Sequence, residues 1–199
     1  MNLPNKLTLL RIFLVPVILI FMLPLPATDV FLVWNQFIDK FGLLFAFFIF
    51  ALASLTDYYD GKIARKQNLI TNFGKFLDPI ADKMLVVSVL IALVQLNRLN
   101  ALVAIIVIIR EFIVTGIRLL ASDKGVVISA SNLGKAKTVT QIVAILVILA
   151  EKTLFYLLGS FIPMVWITRL GDLAMFVAVA MTIISGFDYL KKNLSYLKE

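Results

Sequence analysis

The stretch SLTDYYDGKIARKQNLITNFGKFLDPIADKML, residues 54–85, lies between two long apolar runs. It contains Asp57, Asp60, Asp78 and Asp82, which are four of the twelve acidic residues in the chain. Each flanking run is long enough to predict a helix that crosses a membrane. The stretch therefore predicts two membrane helices that are joined by a short polar connection and carry four carboxylates near their ends.

The composition of the whole chain is that of a membrane protein. Of its 199 residues, 61% are hydrophobic and 16% are charged, and the mean hydropathy is +1.00. Average usage is nearer half apolar. No polar linker divides the sequence, so we expect one domain over residues 1–199. The chain contains neither Cys nor His, which excludes disulfides, thiolate nucleophiles, Ser-His triads and ordinary zinc sites.

Six apolar spans predict an all-α integral membrane bundle. They cover roughly residues 8–25, 41–60, 76–96, 101–121, 134–150 and 170–189. The stretches LPLPATD and LNRLN, after the first and third spans, predict turns. Asn5, Thr8 and Arg11 recur every three residues on one helical face, which favours a retained first helix over a cleaved signal peptide.

The basic residues predict the orientation of the bundle. Of the nineteen Lys and Arg residues, only Lys40, Arg98, Lys152 and Arg169 fall on the side opposite the N-terminus. Because cytoplasmic loops carry the excess of Lys and Arg, we expect both termini and the aspartate-rich stretch to be cytoplasmic. The net charge of +7 then indicates contact with anionic lipid headgroups and not with nucleic acid.

The spacing of the four aspartates indicates a metal site. Asp57 and Asp60 share one helical face, and Asp78 and Asp82 share another. Pro79 either kinks the second helix or marks its first turn. The plainer alternative is that these carboxylates are solvated loop charges paired with nearby Lys and Arg. Clustered carboxylates at a membrane edge repel one another and are poorly hydrated, and a divalent cation relieves both costs.

The types of side chain in this stretch indicate which metals could bind and which reaction they would assist. Four hard oxygen ligands favour Mg²⁺, Mn²⁺ or Ca²⁺ and suit a site for two metals. Gly61 and Gly74 leave room for a bulky phosphorylated ligand, and Arg65 offers a planar fork to phosphate oxygens. These residues together predict metal-assisted phosphoryl chemistry at the membrane surface.

The same residues resemble the signature of the CDP-alcohol phosphotransferases. The pattern D-x-x-D-G-x-x-A-R, eight residues, then G-x-x-x-D-x-x-x-D is matched at every fixed position. The eight fixed residues are Asp57, Asp60, Gly61, Ala64, Arg65, Gly74, Asp78 and Asp82. The gap of eight residues between Arg65 and Gly74 is also that of the family. The resemblance extends to the six-helix layout. It implies a six-transmembrane-helix bundle of that type and, by analogy, a homodimer.

The resemblance also implies roles for these residues. The four aspartates would hold two divalent cations, Mg²⁺ or Mn²⁺, around the CDP-diphosphate. Asp82 would in addition be the base that deprotonates the acceptor hydroxyl. The residues implied to line the cytidine nucleotide pocket are Gly61, Ala64, Arg65 and Gly74. The acceptor oxygen would attack the phosphoryl group that bears the lipid, and CMP would leave in line.

Basic residues elsewhere indicate the acceptor. Arg110 lies deep in an apolar run, where an unpaired charge is costly, and Glu111 could pair with it or with Arg118. Arg118 follows about 80° around the helix and about 12 Å along it, so both arginines can border one cavity. Lys135 and Thr138 share a face of the fifth span. Several cations around one cavity favour an acceptor that carries its own phosphate.

Three segments resemble those of the bacterial phosphatidylglycerophosphate synthases within this family. They are the opening NKLTLLR, the helix with Arg110, Glu111 and Arg118, and GK-x-KT-x-x-Q over residues 134–141. The implied donor is CDP-diacylglycerol, with Asn5 and Thr8 on its side of the site, and the implied acceptor is sn-glycerol 3-phosphate. Charge and resemblance together assign the acceptor phosphate to Arg110, Arg118, Lys135 and Lys137. The implied location is the plasma membrane of a bacterium, with the active site facing the cytoplasm.

Two alternatives remain at this point. The first is the same chemistry with another acceptor, namely an inositol phosphate, serine or phosphatidylglycerol. A phosphate-free acceptor would leave the basic cluster without a purpose. The second is a divalent-cation transporter, which would need acidic residues near the membrane midplane and access from both sides. The aspartates lie near the ends of their spans, and the sequence has no evident internal repeat of the kind transporters use.

Overall fold

The chain folds into a bundle of long helices. The computed structural model describes the backbone of residues 3–67, 72–126, 128 and 131–194, and the side chains of these residues except 3–4, 57–79 and 82. Every regular element in this part of the chain is helical, which confirms the predicted all-α class. The elements are α1 (Leu3–Met22), a 3₁₀ turn (Asp29–Phe31), α2 (Leu32–Phe37), a π-helical turn (Ile38–Gly42), α3 (Leu43–Gln67), α4 (Asn72–Gln95), α5 (Ala101–Asp123), α6 (Asn132–Leu158) and α7 (Met164–Asn193).

Four of the described helical segments are long and apolar enough to cross a membrane. They are Asn5–Met22, Asp29–Thr56, Asn132–Leu158 and Met164–Asn193. In the fully described part of α4, the segment Lys83–Gln95 is apolar but shorter, and α5 carries several charges within its length. The structure thus supports a membrane protein with at least these four candidate spans, and the six-span count stays a prediction.

The ends of α4 and α5 are built alike. Asn97 follows α4 with a positive φ of 56°, and the N–H of Arg98 donates to the carbonyl of Leu93 at 2.9 Å. Gly125 follows α5 with a φ of 75°. A residue in the left-handed conformation lets the chain satisfy the last carbonyls of a helix and then turn away. The predicted break at LNRLN is confirmed, and Asn100 caps α5 by accepting a hydrogen bond from the N–H of Leu102 at 2.9 Å.

Three predicted spans are clearly shorter than the helices that contain them. The sixth was placed at residues 170–189, but α7 extends over Met164–Asn193. The second was placed at residues 41–60, but helical structure begins at Asp29 and α3 ends at Gln67. The side chain of Asn35 bonds both the N–H and the carbonyl of Leu25, at 2.9 and 3.0 Å, and so folds this segment back onto the end of α1. The fifth was placed at residues 134–150, but α6 extends over Asn132–Leu158 because the chain stays apolar beyond Lys152.

Small residues let the helices approach one another. Within lipid the helices gain little from hydrophobic burial, so close van der Waals packing has to hold them together. Eight alanines are buried among the described residues: Ala46, Ala53, Ala81, Ala92, Ala104, Ala121, Ala144 and Ala178. Larger side chains such as Leu90, Ile145 and Leu149 fill the core between them. Along the bundle α6 packs on α7, and α1 packs on both α3 and α4.

A charged cluster fastens the end of the bundle where α4 meets α5. Arg98 donates two hydrogen bonds of 2.6 Å to Glu151 on α6, one of 2.7 Å to Asp172 and one of 3.0 Å to the carbonyl of Thr168, both on α7. The bond to Glu151 raises the pKa of the Arg98 guanidinium above its ordinary value, against the lowering effect of burial. Gly171 leaves the space for this pair, since a Cβ there would lie 2.0 Å from Glu151 Oε1. We call this group the Arg98 cluster.

Candidate active site

A cavity of about 670 Å³ opens among six helices of the bundle. This volume is within the range that holds a small phosphorylated ligand. Arg11 of α1 and Ser54 of α3 line one side, and residues of α4, α5 and α6 form most of the remaining wall. Tyr189 contributes from α7. Elements far apart in the sequence therefore meet at one site.

The described part of the cavity wall is strongly positive. Among the lining residues that the structure describes, six are cationic and one is acidic. The cations are Arg11, Lys83, Arg110, Arg118, Lys135 and Lys137, and the acid is Glu111. Between helices the effective dielectric constant is well below that of water, so this excess of charge attracts anions strongly. The arrangement suits a ligand with one or more phosphate groups.

Glu111 joins two of these cations. Its Oε1 accepts a hydrogen bond from Nη1 of Arg110 at 3.2 Å and another from Nζ of Lys137. Arg110 precedes Glu111 on α5, whereas Lys137 belongs to α6. The Lys137 side chain is 6% exposed and that of Glu111 is 15% exposed. A buried ammonium of this kind is stable only with an ionised partner, so Glu111 keeps a cation in the wall of the cavity.

One turn further along α5, Thr115 adds a contact to α4. Its hydroxyl donates to the backbone carbonyl of Glu111 at 2.6 Å and accepts a hydrogen bond from Nζ of Lys83. The turn of α5 from Glu111 to Thr115 thus gathers cationic side chains from α4, α5 and α6. Because helices are stiff, these contacts also fix the spacing between the walls of the cavity.

Helix α7 orients the two arginines of α5. Nη2 of Arg110 donates to Oγ of Ser185 at 3.1 Å, and Nε of Arg118 donates to the hydroxyl of Tyr189 at 3.2 Å. The Arg118 guanidinium carbon also lies 5.7 Å from the centre of the Tyr189 ring, within range of a cation–π interaction. Gly186 leaves room for Arg110, because a Cβ there would lie 3.2 Å from Arg110 Cγ.

Comparison with known proteins identifies the family. The profile of the family described as CDP-alcohol phosphatidyltransferase matches residues 1–185. The chain belongs to the CDP-alcohol phosphatidyltransferase family. This confirms the resemblance that the aspartate signature predicted.

Relatives within the CDP-alcohol phosphatidyltransferase family match over nearly the whole chain. A protein of Bacillus subtilis is 46% identical over 197 residues, which cover 99% of this chain and 97% of the relative. One of Rickettsia felis is 37% identical over 98% of this chain and 97% of its own length. One of Shigella flexneri serotype 5b is 33% identical over 95% of this chain and 93% of its own length. All three are named CDP-diacylglycerol–glycerol-3-phosphate 3-phosphatidyltransferase.

The CDP-alcohol phosphatidyltransferase signature lies on the helices that flank the cavity. The backbone is helical at all of its positions, with the first half on α3 and the second half on α4. Since α4 begins at Asn72, Pro79 lies inside the helix and does not mark its first turn. The signature side chains lie outside those that the structure describes: Asp57, Asp60, Gly61, Ala64, Arg65, Gly74, Asp78 and Asp82. Their roles stay predictions.

The predicted acceptor residues meet at the cavity. Arg110, Arg118, Lys135 and Lys137 all line it, although their predicted contact with a phosphate remains untested. Of the two arginines with which Glu111 could pair, Arg110 is the one that forms an ion pair with it among the described residues. Asn5 and Thr8, which were predicted to lie on the donor side, are buried residues of α1, as is Arg11 of the same helix.

Other cavity residues were not predicted as members of the site. Lys83, which directly follows the last signature aspartate in the sequence, lines the cavity. Ser54 lines the cavity with a buried hydroxyl that has no hydrogen-bond partner among the described residues. Ser185 and Tyr189 carry no local signal, because they reach the arginines of α5 only across the fold. The position of Ser54, one turn before the first signature aspartate on α3, was the one available hint.

Proposed function

We propose that this protein transfers the phosphatidyl group of CDP-diacylglycerol to sn-glycerol 3-phosphate, giving phosphatidylglycerophosphate and CMP. The observation that carries the proposal is the cavity itself, in which six cationic side chains surround one space beside the helices of the signature. Both substrates are phosphate esters, and such a wall attracts them. The names of relatives at 33–46% identity support the same reaction.

The donor set of the signature fits divalent cations. It consists of four carboxylates at helical spacings on α3 and α4, in a chain without His or Cys. Hard oxygen ligands are those that Mg²⁺ and Mn²⁺ prefer. We propose that Asp57, Asp60, Asp78 and Asp82 hold two such ions. When bound, they would supply positive charge to offset that of the CDP-diphosphate.

We assign proton transfer and donor binding to residues of the protein itself. A hydroxyl oxygen of the acceptor attacks the phosphorus that bears the lipid, the bond from that phosphorus to the oxygen of CMP breaks, and the hydroxyl proton passes to Asp82. The nucleotide half of the donor lies along the backbone at Gly61 and Gly74, with Arg65 on its phosphates. We also place Ala64, Asn5 and Thr8 on the donor side.

The acceptor phosphate binds at the α5–α6 wall. We assign it to Arg110, Arg118, Lys135 and Lys137, because these four cations line one cavity. Charge-assisted hydrogen bonds to phosphate are roughly twice as strong as neutral ones, so the phosphate would anchor the acceptor and leave its hydroxyls free to react. An acceptor without a phosphate would lose this anchor.

We propose that the reaction takes place on the cytoplasmic side of the membrane. The distribution of Lys and Arg supports six spans with both termini and the signature in the cytoplasm of a bacterial cell. The bilayer supplies the donor lipid laterally. The homodimer implied by the family resemblance is part of the same proposal.

The test is CMP release by purified protein that is supplied with CDP-diacylglycerol, sn-glycerol 3-phosphate and Mg²⁺ or Mn²⁺. Excess chelator should abolish release and added metal should restore it.

Asp57→Ala should lower turnover by orders of magnitude in a protein that still inserts into the membrane. Asp82→Asn should retain near-normal donor affinity while single-turnover release becomes slow even at high Mn²⁺. Full activity in chelator would refute the two-metal site, and no release with this acceptor would refute the proposed reaction.

A further inference from the structure

We infer that Glu111 is a positioning residue for the acceptor, which it serves by holding the Lys137 ammonium in the cavity wall. This inference rests on the proposed function, because it assigns Lys137 to the acceptor phosphate. Glu111 is itself an anion beside the proposed phosphate site, so its presence there requires an explanation. By charge alone it would repel the ligand.

The burial of Lys137 provides that explanation. The residue is 5% exposed and lies on α6 among other cations of the cavity. An ammonium in such a place loses most of its hydration and is repelled by its neighbours. Among the described residues, the hydrogen-bond partner of its Nζ is Glu111. The carboxylate therefore compensates the buried charge and fixes the direction of a long, flexible side chain.

The geometry leaves the ammonium able to bind a ligand. A Lys ammonium has three N–H donors, and one of them is directed to Glu111, so two remain for phosphate oxygens. Arg110 differs from Lys137, because it has a second anchor in Ser185 at 3.1 Å. Loss of Glu111 should accordingly disturb Lys137 more than Arg110. We assign the positioning effect of Glu111 mainly to Lys137.

The experiment compares acceptor kinetics in the full-length protein with CDP-diacylglycerol and sn-glycerol 3-phosphate. Glu111→Gln should raise the KM for the acceptor at least about tenfold, since truncating one partner of a buried charge pair is costly. The KM for the donor should stay within about threefold, because the donor contacts lie elsewhere. Lys137→Met, which leaves Glu111 in place, should raise the acceptor KM by a similar factor.

The double variant gives the sharpest outcome. If Glu111 acts through Lys137, adding Glu111→Gln to Lys137→Met should change the acceptor KM by less than about threefold, because the two residues act as a unit. The matched control is Asp39→Asn, which removes a carboxylate from the exposed Asp39–Lys152 pair. This control should leave the acceptor KM within about twofold of the wild-type value.

The contradicting results are distinct. An acceptor KM that is unchanged in Glu111→Gln, or that rises by the same factor with and without Lys137, would overturn the inference while the proposed function stands. Equal increases in donor and acceptor KM with a lowered melting temperature would reduce Glu111 to a structural link between α5 and α6. A wild-type protein that releases no CMP with this acceptor would instead overturn the proposed function.

Discussion

Replacing Glu151 by Gln removes the buried carboxylate of the Arg98 cluster while keeping the shape of the side chain. In the wild-type protein Glu151 is 4% exposed and accepts two hydrogen bonds of 2.6 Å from Arg98. Breaking a buried ion pair by removing one partner costs about 3–5 kcal/mol. Arg98 keeps its bonds to Asp172 and Thr168, so we expect the lower end, about 3 kcal/mol.

This loss should be visible as a lower melting temperature in detergent. For a chain of this size each kcal/mol corresponds to roughly 2–4 °C, so the Glu151→Gln variant should melt about 6–12 °C below the wild type. The acceptor KM should not change. Glu151 is fourteen residues from Lys137 on α6, which places it about 21 Å from the cavity wall along the helix.

The next residue on the same helix supplies a matched control. Lys152 pairs with Asp39 at 2.7 Å, but the two side chains are 52% and 83% exposed. An exposed pair contributes at most about 1 kcal/mol, so Lys152→Gln should melt within about 3 °C of the wild type. If Glu151→Gln melted no lower than Lys152→Gln, the Arg98 cluster would not stabilise the bundle and the reasoning from burial would be refuted.

Two further predictions concern a helix end and the topology. Asn97 has a φ of 56°, a region that asparagine tolerates because its short polar side chain can hydrogen-bond locally. Alanine lacks that side chain, so Asn97→Ala should cost about 1 kcal/mol and melt about 2–4 °C lower, whereas Asn97→Gly should not; equal melting of both would contradict the strained turn. A cysteine in place of Asp29 should react with an impermeant maleimide on intact cells, and one in place of Lys124 only after the cells are opened. The natural absence of Cys makes the labelling specific, and reversed accessibility would overturn the predicted orientation.

Much of the fold follows from apolar run length. The six long helices and the break at residues 96–100 could be predicted because hydropathy and turn residues are local properties. The helical segment from Asp29 to Gly42 could not. It depends on the contacts of Asn35 with Leu25 and on the close approach of Gly42 to the carbonyl of Phe21, from which a Cβ would lie 2.2 Å. Such contacts are decided by the fold and not by the local sequence.

The candidate site, like the fold, could be predicted from the sequence only in part. Arg110 and Glu111 stood out because charges in an apolar run are costly, and their pairing is local. The partnership of Glu111 with Lys137 spans 26 residues, and that of Arg118 with Tyr189 spans 71. No spacing rule predicts pairs at such separations. The basic residues of α5 and α6 predicted that the site binds a phosphate. Which side chains contact one another in the cavity wall depends on the packing of α5 against α6 and α7.

The cation-lined cavity should select an acceptor that carries a phosphate. The measurement that decides this is CMP release from CDP-diacylglycerol with sn-glycerol 3-phosphate and, separately, with glycerol, serine and inositol. We expect kcat/KM for glycerol 3-phosphate to exceed that for each phosphate-free alcohol at least about a hundredfold, because a site built around a charged group rejects analogues that lack it. Comparable rates with glycerol would contradict the claim, since the cationic wall would then have no part in choosing the acceptor.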